Sequence, residues 1–194
     1  MRNEEFSGQI VTADRRYTGS EDREETIMNN ESCRDVVIGP EAIKQSPLGS
    51  ELTDAQCQVL ADQVSACGLL AGAFLLQEGK VDDSIHVITK GTLEVVTTTG
   101  GGDWVTLQVL REGDMVGELG FIDGVPHSAA IRALTDTELF SLNRAALEAL
   151  LKSDPQLVYQ VMRAIIRTVH VILRRMNLQY VELTNYITKT HGRY

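Results

Sequence analysis

Val116-Gly117-Glu118-Leu119-Gly120-Phe121-Ile122-Asp123-Gly124-Val125-Pro126-His127-Ser128-Ala129-Ala130-Ile131-Arg132-Ala133 is the stretch on which the fold of this chain turns. A glycine-flanked acidic residue, a short turn and a Pro-x-Ser-Ala segment stand between two apolar, strand-like runs. Gly117 lets the backbone come close to a ligand. The N–H groups from Leu119 and Gly120 onward would begin a helical turn, where such groups lack internal partners and suit an anion.

On either side, short apolar runs alternate with glycine and polar turns. Residues 85–88, 92–96, 104–110 and 138–142 read as strands. Thr99-Gly100-Gly101-Gly102-Asp103 reads as a hairpin turn, since glycine supplies the positive φ such loops need. Short strands at regular intervals predict an antiparallel β roll over residues 69–142. Before it, Thr53-Asp54-Ala55-Gln56 has the form of a capping box, and Leu60 and Val64 share a helical face. With Gly68 as a stop, this predicts a helix over 54–66.

Helix returns after the roll. Asn143 caps a short helix over 143–151, and Asp154-Pro155 supplies an N-cap followed by proline at the first helical position. From Gln156 to Thr188 there is no glycine or proline, which predicts a long helix over 155–188. Leu157, Val161, Ile165, Thr168, Ile172, Met176, Gln179 and Leu183 form one stripe, while Val158, Ile166, Val169, Leu173 and Leu178 make a second apolar surface. A helix apolar on two sides needs two partners. The roll is one, and the same helix of a second copy is the other, giving a homodimer.

Taken with its surroundings, the opening stretch resembles the phosphate-binding cassette of the cyclic nucleotide-binding domain. That domain occurs in catabolite-activator-type regulators and in the regulatory subunits of cyclic nucleotide-dependent kinases. The family's turn glycines have counterparts in Gln77-Glu78-Gly79-Lys80-Val81-Asp82-Asp83, Ile88-Thr89-Lys90-Gly91 and Arg111-Glu112-Gly113-Asp114. The resemblance spans roughly residues 48–175. It implies a mainly β fold with flanking helices: an eight-stranded antiparallel β roll, jelly-roll-like, followed by a short helix and a long C-terminal one. With the polar, acidic composition of the start, it predicts a flexible acidic arm (1–45), the roll with its lead helix (46–152), and the dimerisation helix with a short tail (153–194).

The implied ligand is a cyclic nucleotide, among them cAMP, cGMP and cyclic di-GMP. Its contacts would be Gly117, Glu118, Leu119, Gly120, His127, Ser128 and Ala129. Glu118 would accept a hydrogen bond from the ribose 2′-hydroxyl, Ser128 would donate its hydroxyl and Ala129 its N–H to a phosphate oxygen, and Leu119 and Leu107 would wall the sugar. One position departs from the pattern, for His127 stands where the family has arginine. A histidine offers one ring N–H per direction and a reference pKa of ~6.5, against a permanently charged planar fork. In activator-type relatives polar residues midway along the long helix contact the base. Here the corresponding Val171-Ile172-Leu173 is apolar, which favours packing between subunits.

Composition excludes other classes. A net charge of −9 over 194 residues argues against phosphate-backbone binding. The four histidines, His86, His127, His170 and His191, include no His-x-His pair, and the three cysteines, Cys33, Cys57 and Cys67, include no Cys-x-x-Cys. These spacings do not suggest a cupin-type metal centre, an iron–sulfur sensor or a zinc site, although a haem sensor could use His86 or His170. His127 beside Ser128 is poor catalytic geometry, because neighbours on a strand point to opposite faces. The reduced-thiol pattern, and a start without signal-peptide order or a membrane span, predict a cytoplasmic protein. Charge reverses along the chain. The arm is acidic, whereas after Asp154 come Arg163, Arg167, Arg174, Arg175, Lys189 and Arg193 against Glu182 alone. Between Met176 and Tyr194 there is no space for the ~60–80 residues of a helix-turn-helix domain. The expectation is a stand-alone, non-enzymatic module that does not bind DNA on its own. Two readings stay open: a sensor that passes a cyclic-nucleotide signal to a partner protein, and a ligand-free scaffold that kept the roll and the dimer helix.

Overall fold

The computed structural model describes residues 38–191, with the side chains of 189–191 left aside. Cys33, most of the acidic arm, and the side chains of Lys189, His191 and Arg193 lie outside the described residues. In chain order the elements are α1 (Pro40–Gln45), α2 (Asp54–Ala61), β1 (Val64–Leu69), β2 (Phe74–Leu76), β3 (Ser84–Lys90), β4 (Thr92–Thr98) and β5 (Trp104–Arg111). There follow β6 (Met115–Val116), α3 (Glu118–Asp123), β7 (Ala130–Ala133), β8 (Thr137–Asn143), α4 (Arg144–Ala149) and α5 (Pro155–His191).

The strands form two four-stranded antiparallel sheets, ordered β1-β8-β3-β6 and β2-β7-β4-β5, so the expected eight-stranded roll is present. Strand alternation sorts the side chains into two cores. Between the sheets lie Cys67, Leu69, Ile88, Leu93, Leu110, Ile131 and Leu139. On the other face of the first sheet, Ile85, Val87, Phe140 and Leu142 pack against Ile43, Leu60, Leu147, Leu157, Val161 and Ile165 of the helices. At the β4–β5 hairpin the Thr99 N–H donates to the Asp103 carbonyl (2.9 Å), with Gly102 at φ +87°. Register shifts between Val95 and Val96, leaving Leu107 of β5 without an opposite residue.

The capping box forms as the sequence predicts. Thr53 Oγ1 accepts from the Gln56 N–H (3.3 Å), and the Thr53 N–H donates to Gln56 Oε1 (3.1 Å). The helix it starts is shorter than 54–66, however. It ends at Ala61, and Val64 opens β1, pairing with Leu142, while Gly68 sits within that strand opposite Glu138. Strand pairing along all six residues of β1 outweighs the helical spacing of Leu60 and Val64. Nor does the arm extend to residue 45. Pro40 starts α1, and Ile43, fully buried, joins the helix-side core.

Asp154 Oδ1 accepts from the Leu157 N–H (2.9 Å) at the start of α5. The long stripe along this helix divides. Leu157, Val161 and Ile165 are buried against the domain, whereas Met176 and Leu183 are exposed. Gln160 donates to the Glu51 carbonyl (3.2 Å), and Arg163 and Arg167 both reach the Glu51 carboxylate, fixing the base of the helix.

Candidate functional site

β6 pairs briefly with β3, Met115 opposite Val87 and Val116 opposite His86, and the chain then turns sharply at Gly117. Gly117 has φ +85°, and a Cβ there would lie 2.6 Å from the Ser84 carbonyl oxygen of β3, so no side chain fits. The turn launches α3. The Phe121 N–H donates to the Gly117 carbonyl (2.9 Å), and the N–H groups of Glu118, Leu119 and Gly120 stand at the helix's open end. Gly124, at φ +68°, closes the helix with its N–H on the Gly120 carbonyl (2.9 Å).

The return segment is tied to the turn before β3. His127 donates its N–H to the Lys80 carbonyl (2.8 Å), and its own carbonyl accepts from the Gly79 N–H (2.8 Å). This clamp brings the His127 ring over α3. A Cβ on Gly120 would lie 2.9 Å from His127 Cε1 and 2.9 Å from the Asp82 carbonyl oxygen. Thus the structure gathers Gly117, Glu118, Gly120 and His127 about one short helix. Glu118 is half-buried, and that burial pushes its carboxyl above the usual range, its own backbone N–H pulling the other way. Burial moves the His127 ring below its ordinary value; Asp82 opposes this and His86 adds to it. Leu119, Ser128 and Leu107 are exposed and Ala129 is half-buried. Val171 and Ile172 line a groove of about 270 Å³ with Gln108, Leu110 and Met115, whereas Leu173 is exposed away from it.

Two residues of this neighbourhood escaped the reading of the sequence as site residues. His86 is 1% exposed. It faces the interior of the roll, since its neighbours Ile85 and Val87 point to the helices. Its Nδ1 lies 2.7 Å from Ser141 Oγ, and its Nε2 lies 3.8 Å from Asp82 Oδ2. Asp82 is held below the usual carboxylate range: burial opposes this, but His86 and the Ser84 N–H (2.5 Å from Oδ1) prevail. The signal was there, a histidine inside an apolar strand. Its meaning needed the partner from the preceding turn. Among the described residues no three His, Cys, Asp or Glu side chains are grouped to hold a metal ion.

Comparison with known proteins agrees with this geometry. Residues 68–154 match the family model of the cyclic nucleotide-binding domain. The chain is 28% identical over 126 residues to an uncharacterized NTE family protein of Mycobacterium tuberculosis, covering 65% of this chain and 21% of that one. It is 27% identical over 118 residues to the cAMP-activated global transcriptional regulator CRP of Salmonella typhimurium, covering 60% and 56%. It thus spans about a fifth and just over half of these relatives' lengths. Among solved structures, a cyclic nucleotide-binding domain from Methylobacillus flagellatus KT superposes with a TM-score of 0.66 at 23% identity, covering 73% of this chain and 80% of that one. Over residues 68–154 the chain matches the family model of the cyclic nucleotide-binding domain, and its roll shares the fold of the Methylobacillus domain.

Proposed function

We propose that this chain is a regulatory module that binds a cyclic nucleotide at the open end of α3. The phosphate sits on the N–H groups of Leu119, Gly120 and Ala129, with the Ser128 hydroxyl and the His127 ring as further donors. Glu118 accepts the ribose 2′-hydroxyl, and Leu107 and Leu119 cover the sugar. One observation carries this reading. Gly117 and Gly120 each sit where a Cβ would strike neighbouring backbone, and together they hold the helix's open end beside His127. The match of CRP, a cAMP-activated regulator, over 118 residues supports the ligand class.

The second half of the module is α5. Ile166, Leu173, Met176, Leu178, Val181 and Leu183 are exposed on it, a larger apolar surface than soluble monomers tolerate. Two-fold pairing with a second copy covers it and gives a homodimer through 155–188 that relays ligand occupancy to a protein partner. No helix among the described residues is long and apolar enough to cross a membrane. A ligand-free scaffold is the second reading, favoured by the partly buried, charge-disfavouring setting of His127. Calorimetric titration with cAMP, cGMP and cyclic di-GMP decides between them. Saturable binding of one supports the sensor; no binding by the native chain or by His127→Arg leaves the scaffold.

A further inference from the structure

We infer that Asp82 is a positioning residue for His127, and that the site takes its anionic ligand together with a proton. The inference rests on the reading that His127 meets the phosphate. Three groups from three segments meet beneath α3: Asp82 from the turn before β3, His86 from β3, and His127 from the segment before β7. His86 Nε2 and His127 Nε2 are both buried without a hydrogen-bond partner. Such nitrogens are rare in native interiors, where buried polar groups are normally hydrogen-bonded.

Asp82 is held at both carboxylate oxygens, and His86 is held by Ser141 at its Nδ1. Oδ1 of Asp82 accepts from the Ser84 N–H, and its Oδ2 faces His86 Nε2 at 3.8 Å. Its main-chain oxygen and the His127 ring lie on the same side of Gly120. Of the groups acting on the His127 ring, burial and His86 disfavour the imidazolium, and Asp82 alone favours it. α3 itself carries two carboxyl groups, Glu118 and Asp123, and Arg144, paired with Asp83, lies against Gly124 at its far end, while Lys80 meets His127 through its main-chain carbonyl. Without ligand the ring is therefore held towards neutrality. An arriving phosphate adds its charge to that of Asp82, and the ring takes a proton from solvent to form a charge-assisted contact. An arginine needs no such helper. Beside a guanidinium, Asp82 would instead compete with the phosphate.

The test uses the full chain labelled with ¹³C-histidine. In the free protein, Asp82→Asn lowers the NMR titration midpoint of His127, and Asp82→Glu restores it. Calorimetry with cAMP in buffers of different ionisation enthalpy shows proton uptake near neutral pH. The pH above which binding fades moves down in Asp82→Asn. In the His127→Arg background uptake disappears, and adding Asp82→Asn now strengthens cAMP binding roughly threefold to tenfold. An unchanged His127 midpoint in Asp82→Asn overturns the inference, as does cAMP binding without proton uptake. Failure of cAMP to bind either the native chain or His127→Arg sinks the cyclic-nucleotide reading instead, and the ligand-free midpoint still decides the role of Asp82.

Discussion

At the scale of single residues, the site is defined by one exchange and one ionisation. Histidine at 127 gives up the charged fork of arginine, and a charge-assisted contact contributes ~1.5–3 kcal/mol. His127→Arg is therefore expected to tighten cAMP binding about tenfold to a hundredfold at pH 7.5, read by calorimetry. In the proposed complex Glu118 sets the opposite limb of the pH profile. It accepts a hydroxyl more strongly when ionised than when protonated, and its raised pKa moves the acidic weakening of affinity above the ordinary ~4.3 of a glutamate. The same shift bears on stability. A carboxyl whose folded pKa is raised disfavours the folded state above that pKa and ceases to do so as pH falls through it. Glu118→Gln should thus raise the melting temperature of the free protein at pH 7, leave it unchanged below pH ~4, and weaken cAMP binding. A lower melting temperature at pH 7 would refute the assignment.

At the scale of elements, the second sheet carries a polar lock on the face turned away from the inter-sheet core. Glu94 of β4, only 3% exposed, accepts from Thr106 of β5 (2.7 Å) and from Arg132 Nε of β7 (2.9 Å). Three strands are thereby joined through one carboxylate, the last of them, β7, closing the cassette. The Thr106 hydroxyl and then Arg132 hold Glu94 below its usual range against the effect of burial. A depressed carboxyl contributes stability above its unfolded pKa and loses it as pH falls through the folded one. Arg132→Met should cost about 1.5–3 kcal/mol in urea denaturation at pH 7, with the deficit shrinking below pH ~4. In the cassette itself, Gly117→Ala forces a positive φ and a clash with Ser84, so it should destabilise the fold and abolish binding together.

At the scale of the molecule, α5 is two helices in one. Its first three turns belong to the domain core, and the remainder projects an exposed apolar surface. Substitutions along it should separate these roles. Ile165 is fully buried, so Ile165→Asp should unfold the domain rather than dissociate a dimer. Leu173 is exposed, and Leu173→Asp should reduce the mass seen by light scattering from dimer to monomer with the fold retained. A native chain that is monomeric at micromolar concentration would rule out the pairing of α5.

The sequence by itself determined what short-range rules can fix. The capping box at Thr53, the Asp154-Pro155 start of α5, the hairpin at 99–103 and the order of the cassette are local signals whose physics lies within a few residues. The roll followed from strands and turn glycines together with the family resemblance. Tertiary structure alone decided where distant segments compete. Val64 has a helical spacing to Leu60, yet β8 offers it a strand partner in Leu142, and the long-range ladder prevails. Ile43 lies in a polar stretch, but the helix-side core had space for it. The conjunction of Asp82, His86 and His127 arises from folding the turn before β3 under α3, and three ordinary residues become one electrostatic unit only there. Only the folded chain brings these side chains together, and no local pattern encodes that.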